Sequence, residues 1–125
     1  MSHFKEIAEG DLQTAEQWLD ADSSYIHNRD KNDATPIHAA ATNPDVNVIK
    51  LLVNRGADIH LKNTQGATPL YWAAKNPNLE VVKFLVEQGA DIQANDNGGE
   101  TPLDYAKHYE IKKILQSAER KNESQ

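Results

Sequence analysis

The chain has no cysteine, a single methionine and a mean hydropathy of −0.72. Without cysteine there is no disulfide, no thiolate nucleophile and no Cys-based zinc site, and the absence fits a reducing compartment. No apolar stretch approaches the roughly 20 residues that cross a bilayer. Met1 to Gly10 holds no basic start followed by an apolar run, so no secretory signal is read and the cytoplasm is the expected location. Basic side chains are the minority, 13 against 19 acidic, giving a net charge of −6. That balance argues against nucleic-acid binding, which rests on phosphate neutralisation by Lys and Arg.

Catalytic patterns are missing as well. His3, His27, His38, His60 and His108 stand at none of the helical or short-loop spacings used by zinc sites. The one glycine pair, Gly98-Gly99, lacks the Gly-x-x-x-x-Gly-Lys-Ser/Thr frame that wraps phosphate, and no G-x-S-x-G elbow surrounds Ser23-Ser24. The carboxylates show no pairing that would push two pKa values apart. The expectation is a protein without catalysis, cofactor or metal.

What the chain does have is a phrase repeated at a fixed interval. Thr68-Pro69-Leu70-Tyr71-Trp72-Ala73-Ala74 has counterparts 33 residues to either side, in Thr35-Pro36-Ile37-His38-Ala39-Ala40 and Thr101-Pro102-Leu103-Asp104-Tyr105-Ala106. Leu52, Gly56, Ala57, Asp58 and Ile59 return as Leu85, Gly89, Ala90, Asp91 and Ile92, and Gly66 as Gly99. A constant period of this length marks a repeat array. With its T-P-L-H-x-A phrase, it resembles the ankyrin repeat family from about residue 4 to about residue 117. The resemblance implies an all-α repeat solenoid of about four stacked ankyrin repeats, each a helix-turn-helix with a hairpin-like finger. The expected division is 1–33 as an N-terminal cap, 34–66, 67–99, and 100–117 as a C-terminal cap, with a polar tail over 118–125 that frays. Atypical repeats at both ends suggest a complete small protein, monomeric when unbound.

Within each repeat the residues say why. Thr before Pro starts a helix, since the hydroxyl accepts a first-turn N–H and Pro at the first position gives up no bond. Ile37, Ala40 and Ala41 give a narrow face, Asn43-Pro44-Asp45 a turn, and Val46 to Val53 a second helix that Gly56 ends in a left-handed cap. The third repeat restates this with Leu79 to Val86 and Gly89. In the first, apolar residues at Phe4, Ile7 and Ala8 and at Leu12, Ala15, Trp18 and Leu19 have helical spacing. Trp18 is aligned with Leu52 and Leu85 and assigned to the core. Asp22-Ser23-Ser24 departs from the Gly-Ala-Asp helix end, and Ile26 to Asp33 should form the first finger. Asp33 takes the place of Gly66 and Gly99, where positive φ is expected. The last repeat is three residues shorter between Ala106 and Leu115 than between Ala73 and Leu85.

By resemblance, such arrays bind proteins through variable positions on the finger tips and the concave helix face. Mapped here, the finger positions are Arg29, Lys31, Asn32 and Ala34, then Lys62, Thr64, Gln65 and Ala67, then Asn95, Asn97, Gly98 and Glu100. The helix-end positions are Thr42 and Asn43, Lys75 and Asn76, and His108. Tyr71, Trp72 and Tyr105 adjoin this surface and offer the large aromatic area that dominates interfaces. Trp72 reads equally as packing against the neighbouring repeat. His38 is implied to hold a structural hydrogen bond at a helix start, and His27, His60 and Gln93 to support the finger loops. The expected function is a non-catalytic module binding a folded protein partner over an interface of about 1,600 Å². The alternatives are an inhibitor or immunity-type protein that blocks a partner enzyme, a scaffold, and a small enzyme or ligand carrier. Residues 1–33 carry three basic and eight acidic side chains, so a partner with a basic patch at that end is expected.

Overall fold

The computed structural model describes residues 4–123, among which there are eight α-helices and no strand. His3, Ser124, Gln125 and the side chain of Phe4 lie outside the described residues. Each Thr-Pro pair opens a helix: α3 (Pro36–Ala40), α5 (Pro69–Lys75) and α7 (Pro102–Tyr105). Thr68 Oγ1 accepts the N–H of Tyr71, and Thr101 Oγ1 that of Asp104, both at 3.4 Å. The partner helices α4 (Val46–Asn54) and α6 (Leu79–Glu87) stop before Gly56 and Gly89, whose φ values are 96° and 88°. In that left-handed turn the N–H groups of Ala57 and Ala90 return to the carbonyls of Leu52 and Leu85 at 3.0 Å.

The first repeat keeps its helix pair, α1 (Phe4–Glu9) and α2 (Leu12–Ala21), and caps α2 with Asp11, whose Oδ1 accepts the Thr14 N–H at 2.8 Å. Lacking the terminal glycine, it turns on Asp22 instead. The Asp22 N–H reaches the Trp18 carbonyl at 3.1 Å, and its Oδ1 accepts from the backbone and hydroxyl of Ser24, opening a 3₁₀ helix over Ser23–His27. The alignment of Trp18 with the leucine core is corrected here by one position. A strict 33-residue step takes Leu52 to Leu19, and Leu19, Leu52 and Leu85 are all at most 1 % exposed. Trp18 falls in step with the half-buried Leu51 and Phe84 and packs on the rim of the core.

At the other end α7 has four residues where α5 has seven, which absorbs the three-residue shortening, and α8 (Tyr109–Glu123) still buries Ile111 and Leu115. This last helix continues well past Ser117, the expected end of the cap.

Two rows result. The odd-numbered helices contact one another in sequence, the even-numbered ones do likewise, and each helix pair packs within its own repeat. Alanines on the odd row, Ala40, Ala41, Ala73, Ala74 and Ala106, let the helices approach closely, while Val48, Ile49, Leu52, Val81, Val82 and Leu85 fill the space between rows. The core is therefore continuous through the array, and stability comes from interfaces between neighbours. Two asparagines stitch the repeats. Asn43 Nδ2 donates to the carbonyls of Ile7 and Gly10 at 2.9 and 2.8 Å, and Asn78 Nδ2 to those of Ala41 and Asn43 at 3.2 and 2.7 Å.

Candidate interaction groove

Each finger turns on an acidic or amide side chain that accepts two backbone N–H groups. Asp30 Oδ1 takes those of Asn32 and Ala34, Asn63 Oδ1 those of Gln65 and Ala67, and Asp96 Oδ1 those of Gly98 and Glu100, all at 2.8 to 3.0 Å. The same backbone bond closes each turn, from residue 30, 63 or 96 to the carbonyl four positions on. These bonds, with that from Tyr105, hold the Asp96 carboxyl below the usual range, the Glu100 N–H contributing most. Beyond the turn, Asp33, Gly66 and Gly99 have φ of 63°, 78° and 80°, as the sequence comparison anticipated.

Neighbouring fingers are then linked edge to edge. Thr64 N–H donates to the Asn32 carbonyl and Asn97 N–H to that of Gln65, each at 2.9 Å, while Asn97 Nδ2 reaches the Thr64 carbonyl and Lys62 Nζ that of Asn95. A Cβ on Gly66 would come within 2.7 Å of Asn97 Oδ1 and 2.9 Å of its nitrogen, so the second finger passes the third closely there. His38 fastens the helix row to this ribbon. Its Nδ1 accepts the Thr35 N–H at 3.1 Å, which places the ring proton on Nε2, and that nitrogen donates to the Ala67 carbonyl at 3.0 Å. Burial lowers its pKa against the opposing pull of the bond to the Ala67 carbonyl, which favours the neutral ring. In the last repeat Asp104 Oδ2 receives the Thr101 N–H in the same way.

Where the ribbon meets the odd-numbered helices it leaves a groove of about 340 Å³. Five residues expected at a binding surface, Asn32, Ala34, Thr42, Gln65 and Trp72, line it together, joined by Asp30, Asn63 and His38 from the framework and by Ala39. Trp72 is half-buried and packs on the core, as its structural reading expects, and its remaining surface lines the groove. Its indole Nε1 is enclosed and meets no acceptor among the described residues.

The other expected contacts fall elsewhere. Arg29, Lys31, Lys62, Thr64, Asn95, Asn97, Glu100, Lys75, Asn76 and His108 are exposed along the fingers and helix ends, with Arg29 held to Asp33 at 3.1 Å and Asn76 Nδ2 to the Trp72 carbonyl at 2.8 Å. Asn43 is a correction: at 2 % exposure, with its amide spent on two carbonyls, it joins repeats and offers nothing to a partner. Tyr71, 7 % exposed, is packed edge-on against Tyr105 with ring centroids 4.2 Å apart, and Lys75 Nζ stands 5.9 Å from its ring. Tyr105 donates its hydroxyl to Asp96 Oδ2 at 2.9 Å, and its hydrogen bonds, first with Tyr71 and then with Asp96, push its pKa up. This pair thus braces the third finger. Ala67, in the second finger, is buried.

His27, His60 and Gln93 do not support the loops as expected. Their side chains are exposed, and the loop bonds come from Asp58 and Asp91, which accept the backbone N–H groups of His60 and Gln93. The finger clasps Asp30, Asn63 and Asp96 were not singled out from sequence, although they recur at the 33-residue interval. Among the described residues no group of three or more His, Asp or Glu is placed to hold a metal ion, and no helix is long and apolar enough to cross a membrane.

A family model described as ankyrin repeats (3 copies) matches the chain over residues 6–96 and again over 37–125. The search of curated proteins found no match.

Proposed function

Since the chain belongs to the ankyrin repeat family, whose repeats are generally protein–protein interaction modules, we propose that it binds a folded protein partner through the groove between its fingers and odd-numbered helices. The observation that carries this reading is the assembly of Asn32, Thr42, Gln65 and Trp72 around one cavity, beside finger turns clasped by Asp30 and Asn63. Preformed turns of this kind lose little conformational freedom on association, which favours specificity.

The partner presents a basic surface to the first repeat. There Asp20 is neutralised by Arg55 at 2.9 Å and Asp33 by Arg29, whereas Glu9, Asp11, Glu16 and Asp22 are exposed without an ion pair among the described residues. Association is accordingly faster at low salt.

The test is affinity capture from the source lysate with wild type, a groove variant (Thr42→Arg with Gln65→Arg) and an even-row variant (Lys50→Glu with Lys83→Glu), each checked by circular dichroism. A protein kept by wild type and the even-row variant and lost by the groove variant supports the reading. Retention by all three contradicts it. Assaying the captured protein with and without the chain separates an adaptor from an inhibitor.

A further inference from the structure

The groove carries a chemical signature more specific than its shape. Among the described residues Asp30 is the only charged side chain in its lining, His38 beside it being held toward the neutral form by burial. Its Oδ1 is occupied by the N–H groups of Asn32 and Ala34, but among the described residues its second oxygen accepts no hydrogen bond and has no Lys or Arg within ion-pair distance. Trp72 lines the same cavity, and no cation of the described residues stands over its ring, in contrast with Phe84 and Tyr71, which have Lys50 and Lys75 at 5.7 and 5.9 Å. Asn32, Thr42 and Gln65 add neutral polar groups around the opening.

A carboxylate oxygen and an indole ring that have no cation among the described residues, with neutral hydrogen-bonding groups in the same small cavity, fit a planar cation. We propose that the groove receives an arginine side chain from an extended segment of the partner, its guanidinium paired with Asp30 and stacked on Trp72. This inference rests on the groove being the partner-binding face. Arginine is favoured over lysine because its flat, weakly hydrated guanidinium stacks on aromatic rings and presents two parallel N–H groups to a carboxylate, whereas an ammonium is a compact, strongly hydrated point charge. The cavity, with room for on the order of ten waters, suits one long side chain and not a folded element. The acidic balance of residues 1–33 draws a cationic segment to this end of the array.

The test uses uniformly ¹⁵N-labelled full-length protein and the probe acetyl-Gly-Arg-Gly-amide, with the citrulline and lysine analogues as controls. The chain has two tryptophans, so the Trp72 indole N–H resonance reports on the groove while that of Trp18, on α2 in the other row, serves as reference. The arginine peptide is expected to shift the Trp72 indole and the amides of residues 30 to 34 with a dissociation constant of about 1–10 mM. The citrulline analogue, equal in shape and uncharged, should bind at least fivefold more weakly, and the lysine analogue at least threefold. Asp30→Asn retains an oxygen for the two finger N–H groups and should weaken the arginine peptide by about fivefold.

Absence of a Trp72 shift, or equal binding of arginine and citrulline peptides, overturns the proposal. Lysine binding as tight as arginine overturns the assignment to a guanidinium. If the arginine preference is absent while the groove variant above still loses its captured protein, only this inference fails. If that variant keeps its partner, the reading beneath it fails too.

Discussion

Gly66 and Gly99 occupy the same position in successive fingers with nearly the same backbone, φ 78° and 80°, yet they differ in what lies beside them. A Cβ on Gly99 meets nothing within 4 Å, whereas on Gly66 it meets Asn97 Oδ1 at 2.7 Å, Asn97 N at 2.9 Å and Asp96 Cα at 3.1 Å. Substituting alanine at each separates conformational strain from collision. Left-handed backbone costs an L-residue about 1–2 kcal/mol, and reduced freedom of the unfolded chain returns about 0.4–1 kcal/mol, so Gly99→Ala should lose about 0.5–1 kcal/mol. Gly66→Ala carries the same strain and also forces the third finger away, disturbing the bonds from Asn97 to the Gln65 and Thr64 carbonyls. At about 1 kcal/mol for each bond, its loss should reach about 2–3 kcal/mol. With a urea m-value of about 1–3 kcal/mol/M, the difference is a midpoint displacement on the order of 1 M. Urea unfolding followed by circular dichroism measures it. Equal losses for the two variants, within about 0.5 kcal/mol, would refute the close passage of the fingers and the linkage drawn from it.

Asn43→Leu should cost about 2–4 kcal/mol, because it leaves the carbonyls of Ile7 and Gly10 without their donor, and hydrogen exchange should rise first in residues 7–19. Leu19→Ala should lose about 2–5 kcal/mol, and Trp18→Ala distinctly less, on thermal or urea unfolding, since Leu19 is 1 % exposed and Trp18 is half-buried at the rim. His38 has a folded pKa below its unfolded value of about 6.5, so below that pH the unfolded chain binds the extra proton. Wild type should therefore lose stability as pH falls from about 6.5 toward the lowered folded pKa, and His38→Gln should show a flatter urea midpoint between pH 7.5 and 5.5. A parallel pair of profiles would contradict the neutral ring.

The parts of the fold that depend on neighbours in sequence were legible before any coordinates. Thr-Pro starts, glycine caps and the positive φ at Asp33 follow from local stereochemistry, and each repeat states them again. The first repeat was harder because it lacks the glycine that fixes the end of its second helix. Without that marker Trp18 and its neighbour Leu19 compete for the core position, which the strict period gives to Leu19. Asn43 looked like a surface turn residue, since nothing local reveals that α1 of the preceding repeat lies over it with two unpaired carbonyls. Asp30, Asn63 and Asp96 did repeat on schedule, but a polar residue in a polar loop has the same composition whether it is solvated or clasping two N–H groups. The groove was least visible. It brings Asp30 and Asn32 beside Trp72, some 40 positions away, and no periodicity encodes that meeting.

The central claim concerns which face a partner covers, and site-specific photocrosslinking tests it most directly. Benzoylphenylalanine placed singly at Asn32, Gln65, Lys50 and Lys113 samples two groove-side and two even-row positions, all with exposed side chains. Irradiation in the source lysate should yield one discrete adduct at Asn32 and Gln65, of the same protein in both cases, and none at Lys50 and Lys113. Adducts of that protein confined to Lys50 and Lys113 would contradict the account and move the binding face to the other row of helices.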